Sequence, residues 1–226
     1  MNKSSLYLFT LAALIPAFAA GSPAETRDAA PKRRLPAERT GADPAAETGT
    51  IKGVLKSPYA RIAPSVIYIE KIEGREFELP EKNPVMDQKN KIFTPHLLPI
   101  LVGSTIDFPN TDDVRHSVYS RKESADDFNL GQYDVGIVKH VKFETVGVTH
   151  LGCNIHAEMS AYIITCQNPY FTVIGKKAKG SFVIRDVPAG TWNLTFFHEK
   201  IKQKTIEVTV EAGSEAIVEF TGLKRK

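Results

Sequence analysis

Short β-forming runs, cut at close intervals by Gly, Pro and Asp, set the pattern of this chain from Thr50 onward. Ile51 to Leu55, Ser65 to Glu70, Ile100 to Phe108, Ser117 to Ser120, Lys139 to Glu144, Gly147 to Leu151 and Ala161 to Thr165 form a first series. Ser181 to Ile184, Thr191 to Phe197, Thr205 to Val210 and Ala216 to Phe220 form a second, with Asp186-Val187-Pro188-Ala189-Gly190 as the turn between its first two members. Frequent turns and scarce helical periodicity predict an all-β sandwich or barrel. The one helical feature predicted is a single turn near Asp126 to Asn129.

Two N-terminal stretches break this pattern. Met1-Asn2-Lys3 and the almost nonpolar run Leu6 to Ala20 read as the n-region and h-region of a secretory signal, and Ala17-Phe18-Ala19 as its cleavage site. Residues 1–19 are therefore expected to be removed, and the run is shorter than the ~20 residues of a membrane span. Residues 20–48 carry Pro23, Pro31, Pro36 and Pro44 and few large apolar side chains, the composition of a disordered linker. Lys32-Arg33-Arg34 within it reads as a solvated charge run. Export to a bacterial periplasm, with no transmembrane segment after signal removal, is the expected localisation.

The chain has 226 residues, a formal net charge of +3 and 42% hydrophobic residues, enough for one or two small cores. Charges of both signs are interspersed, which argues against nucleic-acid binding. No Ser-His-Asp arrangement, phosphate-cradling Gly loop or paired acidic site emerges, so no enzyme is expected. Asp112-Asp113 and Asp126-Asp127 read as turn residues or a solvated face.

The chemistry concentrates in Cys153-Asn154-Ile155-His156-Ala157-Glu158-Met159, which sets a thiol, an imidazole and a thioether at three-residue intervals. With His116 upstream, these side chains supply the ligand types of a blue-copper site: one thiolate and two imidazoles in a trigonal plane, and a long, weak thioether bond on its axis. A thiolate at the end of one strand, an imidazole across the turn and a Met where the next strand begins can all face one point. The alternative for two cysteines in an oxidising compartment is a disulfide between Cys153 and Cys166. If Met159 to Cys166 is a strand, however, the two lie about 20 Å apart at ~3.3 Å per residue, beyond the ~7 Å that a bridge tolerates between Cα atoms. Cys166 is then a buried free thiol. Alternation along Val146 to Cys153 turns His150 away from Leu151 and Cys153 toward solvent, and His140 is expected at the surface. His96 reads as a packed polar or outer-shell residue, and His198 belongs to the second series of runs.

Residues 85 to 166 resemble a cupredoxin of the plastocyanin and amicyanin kind. Val102-Gly103-Ser104-Thr105-Ile106-Asp107-Phe108-Pro109-Asn110, His116-Ser117-Val118 and Gly147 to Met159 carry the resemblance, and the Cys-x-x-His-x-x-Met spacing is similar to amicyanin's. It implies one type 1 copper ion with His116, Cys153 and His156 as equatorial ligands and Met159 as the axial one, and a redox partner protein. Many cupredoxins place an Asn that ties the two ligand loops together just after the first His, where this chain has Ser117. Val118, Leu151 and Ile155 are expected to shield the site from water.

The stretch Gly180 to Leu194 resembles the later part of a carboxypeptidase-regulatory-like β-sandwich, whose opening strands are similar to Gly49 to Val54 and Ala63 to Glu70. The expected organisation is therefore a Greek-key cupredoxin at 76–168 inserted in, or joined to, a small sandwich formed by 49–75 and 169–222. The chain as a whole is similar to proteins labelled methylamine-utilisation proteins. Together these features imply an exported blue copper electron carrier. A periplasmic copper carrier and a structural secreted β protein without metal are the alternatives.

Overall fold

The computed structural model describes residues 47–57 and 63–226; the expected signal, and the linker up to residue 46, lie outside the described residues. Among the described residues the protein is all-β, with no α-helix and a short 3-10 turn at Lys176–Ala178. No helix among them is long and apolar enough to cross a membrane.

The first two strands, β1 (Thr48–Leu55) and β2 (Ser65–Ile69), do not pair with each other. Nine strands follow: β3 (Asp87–Lys89), β4 (Ile92–Thr94), β5 (Leu97–Leu101), β6 (Thr105–Pro109), β7 (His116–Ser120), β8 (Asn129–Tyr133), β9 (Val138–Lys142), β10 (Gly147–Gly152) and β11 (Ser160–Cys166). The chain closes with β12 (Phe171–Ile174), β13 (Ser181–Pro188), β14 (Gly190–His198), β15 (Ile201–Val210) and β16 (Glu215–Phe220).

Strand β1 takes the centre of the sheet β13-β1-β16, antiparallel to β13 and parallel to β16, while β2 takes an inner place in β12-β2-β14-β15. Both early strands thus hydrogen-bond to the last part of the chain. The inward residues of these two sheets, among them Ile51, Ile67, Ile69, Val187, Leu194, Phe196 and Phe220, form one apolar cluster. Each such side chain contributes about 1.5–3 kcal/mol by leaving water.

The intervening strands make a second assembly. Its main sheet runs β5-β11-β10-β7-β8, with β5 parallel to β11, and two-stranded pairs β6-β9 and β3-β4 accompany it. Its core holds Met86, Ile106, Phe108, Val118, Phe143, Leu151, Cys153, Met159 and Ile163. A third cluster joins the assemblies: Val66 and Phe197 pack with Leu97, Ile164 and Cys166. At its edge the ring of His96 bonds to the Ser160 carbonyl at 3.1 Å and to Glu199 at 3.1 Å, so His96 is a packed polar residue of this seam.

Several elements depart from the sequence reading. The run Ile100 to Phe108 is two strands in different sheets, broken at Val102-Gly103-Ser104, where Gly103 takes φ +90°. The helical turn expected at Asp126 to Asn129 does not form. Asp126 instead accepts the backbone N–H groups of Glu144 and Thr145 at 3.1 and 3.2 Å, and Asn129 opens β8. His150 does point away from the core but is half-buried, with its ring stacked on Tyr162 at 4.3 Å and hydrogen-bonded to the Ser160 hydroxyl at 2.8 Å. Strand β1 opens at Thr48, the last residue expected to belong to the linker.

His198, 2% exposed and stacked on Phe196, carries a pH dependence. Burial holds its imidazolium below the ordinary value of 6.5, and its Nε2 has no partner among the described residues. Below about pH 6.5 the unfolded chain binds a proton that the folded chain refuses, so this stability is present above that pH and is lost as the pH falls toward the lower folded value. Thermal melts at pH 7 and pH 5 are expected to differ less in His198→Phe than in the parent. Equal differences would contradict this assignment.

Candidate metal centre

Strand β10 ends at Gly152 and β11 starts at Ser160, so Cys153 to Met159 is the loop of an antiparallel hairpin with both cysteine and methionine at its base. The pairing of Leu151 with Ser120 and Gly152 with Tyr119 sets β7 beside this hairpin. His116, the first residue of β7, therefore arrives next to the loop. Gly152 is a close-approach position: a β-carbon there would lie 2.8 Å from the ring of Tyr119.

One ligand atom each from His116, Cys153 and His156 lies within 4.8 Å of the others. The two Nδ1 atoms are 3.1 Å apart, and Cys153 Sγ is 4.0 Å from His156 Nδ1. A trigonal centre with bonds of about 2.0–2.3 Å has ligand-to-ligand edges of about 3.5–4 Å on the same bond lengths, so this donor set closes around one ion with little movement. His116 and Met159 are 0% exposed and Cys153 is 3% exposed, whereas His156 is half-buried. Met159 shares the apolar cluster of Cys153. Two imidazole nitrogens and a thiolate sulfur are ligand types that suit copper and zinc among the first-row ions.

Ser117 takes up the loop-tying task assigned to an Asn. Its hydroxyl oxygen accepts the Asn154 N–H at 2.7 Å, its O–H points at Cys153 Sγ at 3.7 Å, and its own N–H reaches that sulfur at 3.5 Å. A short side chain suffices because β7 lies close against the loop.

The shielding expected of three apolar residues holds for two. Val118 and Leu151 are fully buried, but Ile155 is 40% exposed, because the loop tip turns it outward beside His156. Both cysteines are free thiols. Cys166 sits in the seam between the assemblies, and burial pushes its thiol up to about 12. His140 is at the surface on Asp107, and His96, His150 and His198 lie outside the cluster.

The sequence reading missed Asp112. Its side chain is 6% exposed, and Oδ2 lies 2.8 Å from His116 Nε2. The Lys91 N–H, donated at 2.7 Å, holds this carboxyl well below the usual carboxylate range, with His116 and Asp113 adding to the effect against its burial. Its only sequence signal is an acid four residues ahead of a candidate ligand, which is too common to stand out.

No protein-family model matches the chain, and no curated protein matches it. Among solved structures, a novel purple cupredoxin from Nitrosopumilus maritimus is 21% identical, with 37% of this chain and 99% of that chain covered and a TM-score of 0.34. A reduced amicyanin mutant is 17% identical, covering 39% of this chain and 86% of that one at a TM-score of 0.36. An amicyanin mutant in the Cu(I) state is 16% identical over the same shares at a TM-score of 0.35. These are cupredoxins, and each covers a minor part of this chain.

Proposed function

We propose that this chain is an exported mononuclear type 1 copper protein that carries electrons in the periplasm. The observation that carries the reading is the convergence of His116 Nδ1, His156 Nδ1 and Cys153 Sγ at the Cys153–Met159 loop, with Cys153 and Met159 in one apolar cluster. Bound there, copper supplies a one-electron couple between Cu(II) and Cu(I). The residues do the rest. Cys153, held by two donors from Ser117, offers its sulfur once its proton has left. Buried Val118, Leu151 and Met159 keep water from the centre and leave the ligands little room to rearrange.

His156, half-buried beside the exposed Ile155, is the electron's exit toward a redox partner protein. In a His156→Ala variant that still holds copper, electron self-exchange is expected to slow by an order of magnitude or more. Exchange as fast as in the parent would defeat this role. The same reading divides the chain into a signal at 1–19, a linker at 20–48, a cupredoxin at 76–168 and a carboxypeptidase-regulatory-like sandwich at 49–75 plus 169–222. The pairing of β1 and β2 with the last strands supports that division.

Voltammetry with copper content measured before and after cycling tests the function. Reversible one-electron waves at constant copper occupancy are expected. Loss of metal on reduction would favour a copper carrier with the same ligands.

A further inference from the structure

Asp112 sits behind His116, on the side of the ring away from the other ligand atoms. Its Oδ2 accepts from His116 Nε2 at 2.8 Å and from the Lys91 N–H at 2.7 Å, while Oδ1 accepts the Asp113 N–H at 2.9 Å. The loop around it is fixed in turn: Asn110 Oδ1 accepts the Asp112 N–H at 3.1 Å, and Asn110 Nδ2 donates to the Val114 carbonyl at 2.9 Å. The carboxylate is thus built into a buried network, and the aim of its second oxygen is set by backbone rather than by a mobile side chain.

An ionised carboxylate can only accept hydrogen bonds, so the 2.8 Å contact places a proton on His116 Nε2. In the neutral ring, Nδ1 is then a lone pair. His156 Nδ1 stands 3.1 Å from that lone pair, which makes His156 the donor of the pair in the metal-free protein. The ring of His116 is fully buried, so its tautomer is set by these two contacts, and of the two only Asp112 is an obligate acceptor. A fixed negative charge one imidazole away from the centre also favours the higher charge state of a metal bound there.

We infer that Asp112 is a positioning residue for the metal centre: it fixes His116 as the Nε2–H tautomer with Nδ1 presented to the site before metal arrives, and its charge favours Cu(II) over Cu(I). The second half rests on the copper reading; the first does not.

The experiment compares the full-length protein with Asp112→Asn and Asp112→Ala. Long-range proton–nitrogen spectra of the metal-free, nitrogen-15-labelled proteins report the His116 tautomer. The parent is expected to show Nε2–H alone, Asp112→Asn to keep it through the amide oxygen, and Asp112→Ala to show both tautomers. A single Nε2–H form in Asp112→Ala would overturn the positioning role. With copper, Asp112→Asn is expected to shift the Cu(II)/Cu(I) affinity ratio toward Cu(I) on the order of tenfold, about 59 mV in potential for a one-electron couple. An unchanged potential would overturn the role of the charge, and this arm decides even if Asp112→Ala does not fold. A parent that binds no copper while its tautomer depends on Asp112 overturns the copper reading and the role of the charge, and supports the positioning role.

Discussion

Cys153→Ser is expected to remove the intense visible absorption of the copper-loaded protein entirely while the fold survives. The band requires a thiolate bound to Cu(II), and Cys153 is the one cysteine in the His116, Cys153, His156 cluster; Cys166 lies in a different apolar cluster. The serine oxygen is smaller than sulfur but can accept the Ser117 N–H that now points at Cys153 Sγ, so no buried donor is orphaned. The structural cost is then about 1 kcal/mol, small beside total domain stability. Copper affinity falls much further, because a soft anionic ligand is replaced by a neutral hydroxyl. Absorption spectra of the two copper-loaded proteins, with circular dichroism to show that both are folded, check this. A Cys153→Ser protein that stays blue would exclude the ligand set.

The second large effect lies in the sandwich made by the two ends of the described chain. Phe196, fully buried on β14, pairs with Ile67 of β2, and its ring lies 5.9 Å from that of Phe220. Strand β14 is flanked on both sides, by β2 and β15, so its neighbours cannot close over a cavity without breaking ladder hydrogen bonds. Phe196→Ala is expected to cost about 3–5 kcal/mol. Denaturant unfolding followed by far-ultraviolet circular dichroism measures the loss. Because β1 and β2 depend on the strands from β12 onward, the damage reaches residues more than a hundred positions away in the chain. A loss under 1 kcal/mol would show that this cluster is not the core of the sandwich.

How much of this was legible in the sequence depended on distance along the chain. Compact runs rich in β-branched and aromatic residues, such as Ser65 to Ile69 and Ala161 to Thr165, announce strands because such side chains fit a pleated, buried surface. Asp87-Gln88-Lys89 and Ile92-Phe93-Thr94 are too short and too polar to do so, although Gln88 and Phe93 are buried. Strand β8 carries Gly131 at φ +63°, and its Asn-Leu-Gly-Gln-Tyr run gives no apolar alternation.

The cysteine and second histidine of the cluster were readable because one hairpin loop, which ends at Met159, holds both. His116 joins them through the register of β7 against β10, which a family resemblance can suggest and local pattern cannot. Asp112 was invisible for a related reason: its burial comes from Lys91, Asp113 and His116 closing around it, and acidic pairs in loops are ordinarily solvated. The exposure of Ile155 and the stacking of His150 on Tyr162 likewise depend on where the hairpin sits, not on which residues precede it.

The most direct test of the central claim is titration of the protein with Cu(II), followed by visible absorption and electron paramagnetic resonance. One equivalent of copper is expected to give an intense thiolate-to-copper band with narrow copper hyperfine splitting, saturating at a single site. A protein that stays colourless with its Cys153 thiol intact, or that shows only the wide splitting of copper bound by nitrogen and oxygen, would contradict the account.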